Sequence, residues 1–164
     1  MKTLFILRHA KSSWDDPNLA DFERPLNQRG QKAAPFMGEL MTARKLVPDL
    51  IMSSPARRAR ETAELVKKNG DLDGEIVFEE KIYEAGPSAL LKVIANLDER
   101  FECVLLVGHN PVSEELVRIL TGRSESMPTA ALAVIDLNIG KWADIAAQAG
   151  TLRFVIKPKQ EMKH

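Results

Sequence analysis

The sequence has very little cysteine, and this excludes a disulfide-stabilised fold. Of its 164 residues only Cys103 carries a thiol, so no disulfide can form within the chain. Cys103 lies in the apolar segment "FECVLLVGH", where a thiol is typically buried and unreactive. A cysteine-based phosphate-transfer site would also need a basic loop after its thiol, and "VLLVG" follows instead. We therefore expect no cysteine chemistry.

Long apolar runs are also lacking. The first apolar run, residues 4–7, is too short for the core of a signal peptide. No later run approaches the length that spans a bilayer. We therefore expect a cytoplasmic protein that does not contact a membrane.

The chain has no excess of charge of either sign. Lys plus Arg number 23 and Asp plus Glu number 23, which gives a formal net charge of zero. No overall field would draw the protein onto nucleic acid or an anionic membrane, so we expect neither as a partner. Any affinity for an anion must therefore arise from a local cluster of donors.

The pattern of apolar residues indicates one α/β domain over residues 1–164. Stretches with helical periodicity separate short apolar runs, and this alternation predicts an α/β sandwich. The connections are short, so we expect an open active site without a cap insertion. The predicted strands are residues 4–7, 50–52, 76–78, 104–107, 131–138 and 152–156.

Helix start signals precede four of the periodic stretches. They are Asn27, Ser54-Pro55, Gly86-Pro87 and Asn110-Pro111. In the last three, proline is expected in the first helical turn. Pro35 lies inside the first periodic stretch, where we expect it to kink or delay the helix.

Polar side chains occur where three of the predicted strands end. Arg8 and His9 follow the first strand, Arg58 opens the helix after the second, and His109 follows the strand in "VLLVGHN". Ligands of open α/β sheets bind at the carboxyl ends of the strands, where helix N-termini also gather. Guanidinium groups, helix dipoles and free backbone N–H groups there would favour a phosphoryl dianion.

The two histidines indicate how this site could react with a phosphoryl group. Surrounding positive charge lowers the pKa of an imidazole, so at least one of His9 and His109 is expected to be neutral and nucleophilic. One could attack phosphorus while the other donates to a phosphoryl oxygen. Glu84, in "KIYEAGPS", is a candidate general acid for the leaving group and base for water, or it simply caps a helix or faces solvent. His164, in the charged tail, has no comparable setting.

The sequence resembles the histidine phosphatase superfamily, also called phosphoglycerate mutase-like, over nearly the whole chain. The motifs are "LRHA", "SPARRARETA" and "VGHN". The resemblance implies a three-layer α/β/α sandwich with a mostly parallel central sheet. It also implies that His9 is the phosphorylated nucleophile and that Arg8, Arg58 and His109 form the phosphate pocket. Within the crowded helix start, the register of the family motif selects Arg58 over its neighbouring arginines.

The sequence also resembles the small branch of this family, which is typified by the phosphohistidine phosphatase SixA. That branch has an Arg-Pro-Leu segment before its first helix. Here it reads "ERPLNQRG", which makes Arg24 a candidate phosphate contact, or an ion-pair partner of Asp21 or Glu23. Ala10 stands where the family has glycine, and it requires ordinary backbone dihedrals there. Further candidate substrate contacts are Ser12, Ser13 and Asn110, although the serines are also ordinary turn residues. Trp14 and Trp142 are expected to cover apolar surface.

The leading functional hypothesis is a monomeric, metal-independent phosphatase that needs no cofactor and forms a phosphohistidine intermediate, with a phosphohistidine-bearing protein as its substrate. A metallohydrolase is disfavoured, because arginines beside the candidate ligands would repel a cation and no HExxH-type spacing is present. A mutase is disfavoured because the short connections offer little enclosure for a bisphosphorylated intermediate. Two alternatives stay open: a small-molecule phosphomonoesterase of the same superfamily, and a module that binds a phosphorylated ligand without turnover.

Overall fold

The computed structural model describes residues 1–162, so His164 lies outside the described part of the chain. Six strands form one sheet, and each lies within two residues of its predicted bounds. They are β1 (Lys2–Arg8), β2 (Leu50–Ser53), β3 (Glu75–Phe78), β4 (Cys103–Gly108), β5 (Leu132–Leu137) and β6 (Gly150–Ile156).

The sheet is mixed, with the order β3-β2-β4-β1-β5-β6. Strands β3, β2, β4 and β1 run parallel, β5 is antiparallel to β1, and β6 is antiparallel to β5. Because β2, β4 and β1 are neighbours, their carboxyl ends lie side by side at one edge. The predicted α/β fold with a mostly parallel sheet is therefore confirmed.

Helices cover both faces of the sheet. They are α1 (Gln28–Ala43), α2 (Arg57–Gly70), α3 (Glu80–Glu84), α4 (Pro87–Ala95), α5 (Val112–Thr121) and α6 (Pro158–Glu161), with 3₁₀ turns at Asp21–Glu23 and Trp142–Asp144. Alternate residues of β1 face opposite layers, because side chains along a strand point to alternate faces. Phe5 and Leu7 pack in the apolar cluster of α1 and α2, whereas Leu4 and Ile6 pack in the cluster of α4 and α5. Among residues 1–162, no helix combines the length and the apolarity needed to cross a bilayer.

The helix starts agree only in part with the sequence signals. Asn27 caps α1 by accepting a hydrogen bond from the Gly30 N–H, at 2.9 Å, and Pro87 is the first residue of α4. Pro55 and Pro111 do not lie in a first helical turn, because α2 begins at Arg57 and Pro111 is itself the N-cap of α5. At these two positions the prediction was wrong, since three residues outside the helix separate β2 from α2 and β4 from α5.

Pro35 does not delay or end α1, which runs from Gln28 to Ala43. Proline removes one helical hydrogen bond, the one that its missing N–H would donate. The buried face of α1, with Ala34, Met37 and Met41 against the sheet, stabilises the rest of the helix.

Cys103 is half-buried rather than fully buried, at the start of β4. Burial raises the pKa of its thiol to about 12, and the nearby Asp49 carboxylate acts in the same direction. The thiol is therefore protonated at neutral pH, as expected of a cysteine without a chemical role.

Candidate active site

A cavity of about 250 Å³ lies at the carboxyl ends of β1 and β4. His9 directly follows β1, and its N–H donates to the Gly108 carbonyl at the end of β4, at 3.0 Å. The rings of His9 and His109 therefore come together, with centroids 5.1 Å apart. Seven predicted site residues line the cavity, namely Arg8, His9, Ser12, Arg24, Arg58, His109 and Asn110. Lys11, Trp14 and Thr129 complete its lining.

His9 has the tautomer of a nucleophile. Its Nδ1 lies 2.7 Å from the Ala10 carbonyl oxygen, which can only accept a hydrogen bond, so the ring proton is on Nδ1 and the lone pair on Nε2. Burial lowers the pKa of His9 to about 3, and the charges of His109, Arg58 and Arg8 add to this effect although the hydrogen bond to Ala10 opposes it. The predicted direction is confirmed, but burial contributes more than positive charge.

His109 is oriented by a buried serine. Its Nε2 lies 2.8 Å from the Ser54 Oγ, and Ser54 is fully buried. When the Ser54 hydroxyl donates to Nε2, the ring proton is on Nδ1, a buried atom without a hydrogen-bond partner among residues 1–162. Burial lowers the pKa of His109 to about 4, with a further contribution from Arg58. The ring is then neutral and has a donor available for an anion.

Arg8 and Arg58 have donors comparable to the Nδ1 of His109. Arg58 is only 6% exposed, and its Nη1 and Nη2 donate to the backbone carbonyl and the carboxylate of Asp21, at 2.8 and 3.0 Å. Arg8 Nη1 donates to the Met127 carbonyl at 3.1 Å. The Nε atoms of both arginines are buried and, like His109 Nδ1, have no partner in the described part of the protein. All three nitrogens belong to residues that line the cavity.

Of the three arginines at the start of α2, Arg58 is the one that lines the cavity. Arg57 forms an ion pair with Glu61, at 3.1 Å, and Arg60 is exposed, so neither lines the cavity. Ala10 is fully buried and does not adopt a left-handed conformation, which explains why glycine is not needed there. Its N–H donates to the Thr62 Oγ1 at 3.0 Å and so ties the end of β1 to α2.

Asp21 is the functional residue that sequence reasoning did not assign to the site. Its carboxylate accepts hydrogen bonds from Arg58, from Arg24 and from the Tyr83 hydroxyl, which lies at 2.8 Å. Partial burial alone would raise the pKa of Asp21, but these hydrogen bonds and the charge of Arg58 lower it to about 2. The only signal in the sequence was its position three residues before Arg24.

Arg24 makes the predicted ion pair and also lines the cavity. Its Nη2 lies 3.1 Å from the Asp21 carboxylate, and its Nη1 donates to the Ser12 Oγ at 2.9 Å. The guanidinium stacks on Trp14, 3.5 Å from the ring centroid. Trp14 is 74% exposed, so the expectation that it covers apolar surface was wrong, whereas Trp142 is fully buried. The cation–π contact fixes the plane of Arg24 instead.

Glu84 and Ser13 are the two predicted site residues that do not line the cavity. Glu84 is exposed at the end of α3, and Ser13 Oγ accepts from the Asp15 N–H at 3.1 Å. Consecutive helical residues point about 100° apart. Tyr83 turns toward the site, with its ring centroid 5.6 Å from that of His109, so Glu84 points elsewhere.

No metal-binding cluster accompanies this constellation. Within the described ranges, no group of three or more His, Cys, Asp or Glu side chains is close enough to hold an ion. The cavity instead presents cationic and N–H donors, which suit an anion.

Known sequences resemble the chain in the region of these residues. The profile of the histidine phosphatase superfamily (branch 1) matches residues 4–87. That range contains His9, Arg24 and Arg58. A Mycobacterium tuberculosis protein described as uncharacterized is 31% identical over 150 residues, which cover 85% of this chain and 91% of that protein.

Solved structures are similar over almost the full chain. One is a protein from Agrobacterium tumefaciens provisionally assigned as the phosphohistidine phosphatase SixA. It is 31% identical, has a TM-score of 0.82, and the match covers 96% of this chain and 98% of that one. The protein histidine phosphatase SixA complexed with tungstate has a TM-score of 0.79 at 23% identity, with 97% and 99% of the two chains covered. The second likeness concerns the fold alone.

Proposed function

The chain belongs to the histidine phosphatase superfamily and is a phosphatase, and from this premise we propose that it hydrolyses phosphohistidine on a protein. His9 is the nucleophile, and the reaction passes through a phosphohistidine on His9 itself. The 31% identical Agrobacterium tumefaciens structure, provisionally assigned as SixA, supports this substrate class.

One observation carries the proposal: the neutral imidazole of His9 shares its cavity with three residues that each have a buried donor without a partner in the described part of the protein. These donors are the Nε atoms of Arg8 and Arg58 and the Nδ1 of His109. A buried donor without a partner costs on the order of 1–3 kcal/mol, so folding alone would not favour three of them in one cavity. A phosphoryl group has three equatorial oxygens, each of which can accept from such a donor. The donors cost no reorganisation when negative charge develops on these oxygens.

The first chemical step transfers the phosphoryl group to the enzyme. His9 Nε2 attacks phosphorus with its lone pair, and the bond between phosphorus and the substrate imidazole breaks. The electron pair of that bond stays on the substrate imidazole, which takes up a proton. In the second step water attacks phosphorus, His9 leaves with its electron pair, and inorganic phosphate forms with loss of a proton from the water.

The position of Glu84 favours phosphohistidine over an alkyl phosphate. An imidazole leaves easily once it is protonated, so this reaction needs no dedicated general acid. An alkoxide is a poor leaving group, and general acid catalysis typically contributes about 10²- to 10⁴-fold to its departure. Glu84, the predicted acid, is exposed and does not line the cavity.

Trapping the phosphoenzyme tests this proposal. Brief incubation with ³²P-labelled phosphoramidate should give an acid-labile, alkali-stable adduct on the wild type and none on His9→Asn. The same preparation should hydrolyse a phosphohistidine peptide faster than the matched phosphoserine peptide.

Each alternative has its own outcome. Label on His109, or turnover without a labelled intermediate, would overturn the assignment of His9. Preference for phosphoserine or sugar phosphates would favour a phosphomonoesterase. Tungstate binding with neither label nor turnover would indicate a binding module.

A further inference from the structure

A second, larger cavity adjoins the cavity that contains His9 and His109, which is called the phosphate cavity below. Its volume is about 570 Å³, and it lies between the start of α1, the segment before β5 and the short helix α6. Lys11 and Thr129 line both cavities, so the two are adjacent at these residues. The start of α1 packs closely against Lys11 at Gly30, because a Cβ on Gly30 would collide with the Lys11 carbonyl oxygen.

Positive charge is concentrated in this second cavity. Its lining contains four exposed cationic residues and no acidic one: Lys11, Arg29, Lys32 and Lys159. In the part of the chain that the structure describes, none of the four forms an ion pair with a carboxylate. The net charge of the whole chain is zero, so this concentration is local. Four like charges around one concavity repel one another and focus a field that attracts anions.

Apart from Thr129, the rest of the lining is apolar, and none of these residues is aromatic. It comprises Ala33, Pro128, Pro158 and Met162, together with Thr129. Sequence-tolerant binding of single-stranded nucleic acid relies on aromatic side chains that stack against the bases, and this lining has none. Mixed carboxylate and apolar side chains of a peptide match it better, and a volume of 570 Å³ accommodates several of them.

We propose that this second cavity binds an acidic segment of the substrate protein that adjoins the phosphorylated residue. The inference rests on the proposed function for the phosphorylated residue itself, which enters the cavity beside His9. Lys11 and Thr129 lie between the two cavities, so residues that adjoin the phosphorylated one in the substrate need to pass only these side chains to reach the second cavity. The second cavity then selects among phosphorylated proteins by the charge of the flanking sequence.

Binding of two matched peptides tests the inference separately from catalysis. Each carries a non-hydrolysable phosphonate analogue of phosphohistidine and a fluorophore, and the flanking residues are glutamates in one and glutamines in the other. By fluorescence anisotropy at low salt, the wild type should bind the glutamate peptide about tenfold more tightly. The double variant Lys32→Glu/Lys159→Glu should lose this preference, since both side chains are exposed and line only the second cavity.

Lys68→Glu is the matched control. Lys68 is exposed in the last turn of α2, at the end opposite the phosphate cavity. The Lys68→Glu variant should therefore keep the preference for the glutamate peptide. The double variant should also hydrolyse free phosphohistidine at the wild-type rate.

Three results would overturn the inference: equal binding of both peptides, a preference that survives the double charge reversal, or equally tight binding of a single-stranded DNA of the same charge. Failure of the proposed function looks different. In that case the phosphohistidine peptide is not hydrolysed and no label appears on His9, whatever the anisotropy of the analogue peptides shows.

Discussion

Asp21 holds the guanidinium of Arg58 in place from a 3₁₀ turn 37 residues earlier in the chain. Its carboxylate Oδ2 lies 3.0 Å from Arg58 Nη2, and its backbone carbonyl accepts from Nη1 at 2.8 Å. Two contacts at one end of the guanidinium fix its plane, and its Nε is buried without a partner in the described part of the protein. Asp21 is therefore a positioning residue, since it acts through Arg58.

Replacing Asp21 by Asn should lower kcat/KM about tenfold, because a charge-assisted hydrogen bond to a partly exposed carboxylate is lost. The inhibition constant of tungstate should rise in parallel, whereas the thermal unfolding midpoint should stay nearly unchanged. Glu23→Gln is the matched control, because Glu23 is exposed in the same turn. A fall in unfolding temperature with no change in tungstate inhibition would show that Asp21 only stabilises the turn.

Alanine variants of the three arginines in α2 test which of them acts in the reaction. Arg58→Ala should lower kcat on the order of 10²-fold or more, as expected when one aligned donor to a developing oxyanion is lost. Arg57→Ala and Arg60→Ala should stay within about twofold of the wild type, because exposed ion pairs and free surface charges contribute little. Steady-state kinetics on one phosphohistidine peptide compare all three, and equal losses would contradict the assignment.

The spacing of the sequence motifs was sufficient to place Arg58 and the two histidines. Arg8 and His9 end one strand, His109 follows another, and parallel neighbouring strands bring their carboxyl ends together. The register of "SPARRARETA" follows from its resemblance to the family motif, so Arg58 could be selected without tertiary structure. These are the parts of the site that secondary structure alone positions.

The remaining parts depend on contacts between distant segments. Asp21 lies in an irregular loop, and its role exists only because that loop packs against α2. The orientation of Glu84 depends on where a five-residue helix begins, and so short a helix has no periodicity from which to predict it. The hydrogen bond from Ser54 to His109 likewise requires the order of β2 and β4 in the sheet.

Both histidines should stay neutral well below the ordinary histidine pKa of 6.5, since burial lowers the pKa of His9 to about 3 and that of His109 to about 4. The unfolded chain takes up protons as the pH falls through 6.5, and the folded protein does not. The free energy of unfolding should therefore fall as the pH decreases from 7.5 toward these lower values. Urea unfolding at pH 7.5 and 5.5 should show a larger loss for the wild type than for the His9→Asn/His109→Gln variant. An equal loss, or NMR titrations of the His9 and His109 imidazoles centred near 6.5, would refute the neutral assignment.

Activity should survive removal of divalent metal ions. The proposed steps use only imidazole and guanidinium groups, and Arg8 and Arg58 next to the histidines would repel a cation. After dialysis against EDTA, hydrolysis of a phosphohistidine peptide should stay within about 20% of its untreated rate, in line with a reaction that needs no Lewis acid. A loss of activity that added Mg²⁺ or Zn²⁺ restores would contradict this mechanism.

Glu84→Gln should leave phosphohistidine hydrolysis within about twofold of the wild type, because imidazole departs without a dedicated acid and the Glu84 side chain lies outside the cavity. Any hydrolysis of alkyl phosphates should be slow and should change just as little, since an alkoxide needs a proton donor and the Glu84 side chain lies outside the cavity. Tyr83→Phe is measured in parallel, because Tyr83 is the residue of α3 that contacts Asp21 and lies beside His109. Rates on a phosphohistidine peptide and on an alkyl phosphate, measured with the same preparations, give the comparison. If both rates fall together in Glu84→Gln, the carboxylate acts in a step that both substrates share, such as activation of water against phosphorylated His9, and the inference from leaving groups to phosphohistidine no longer holds.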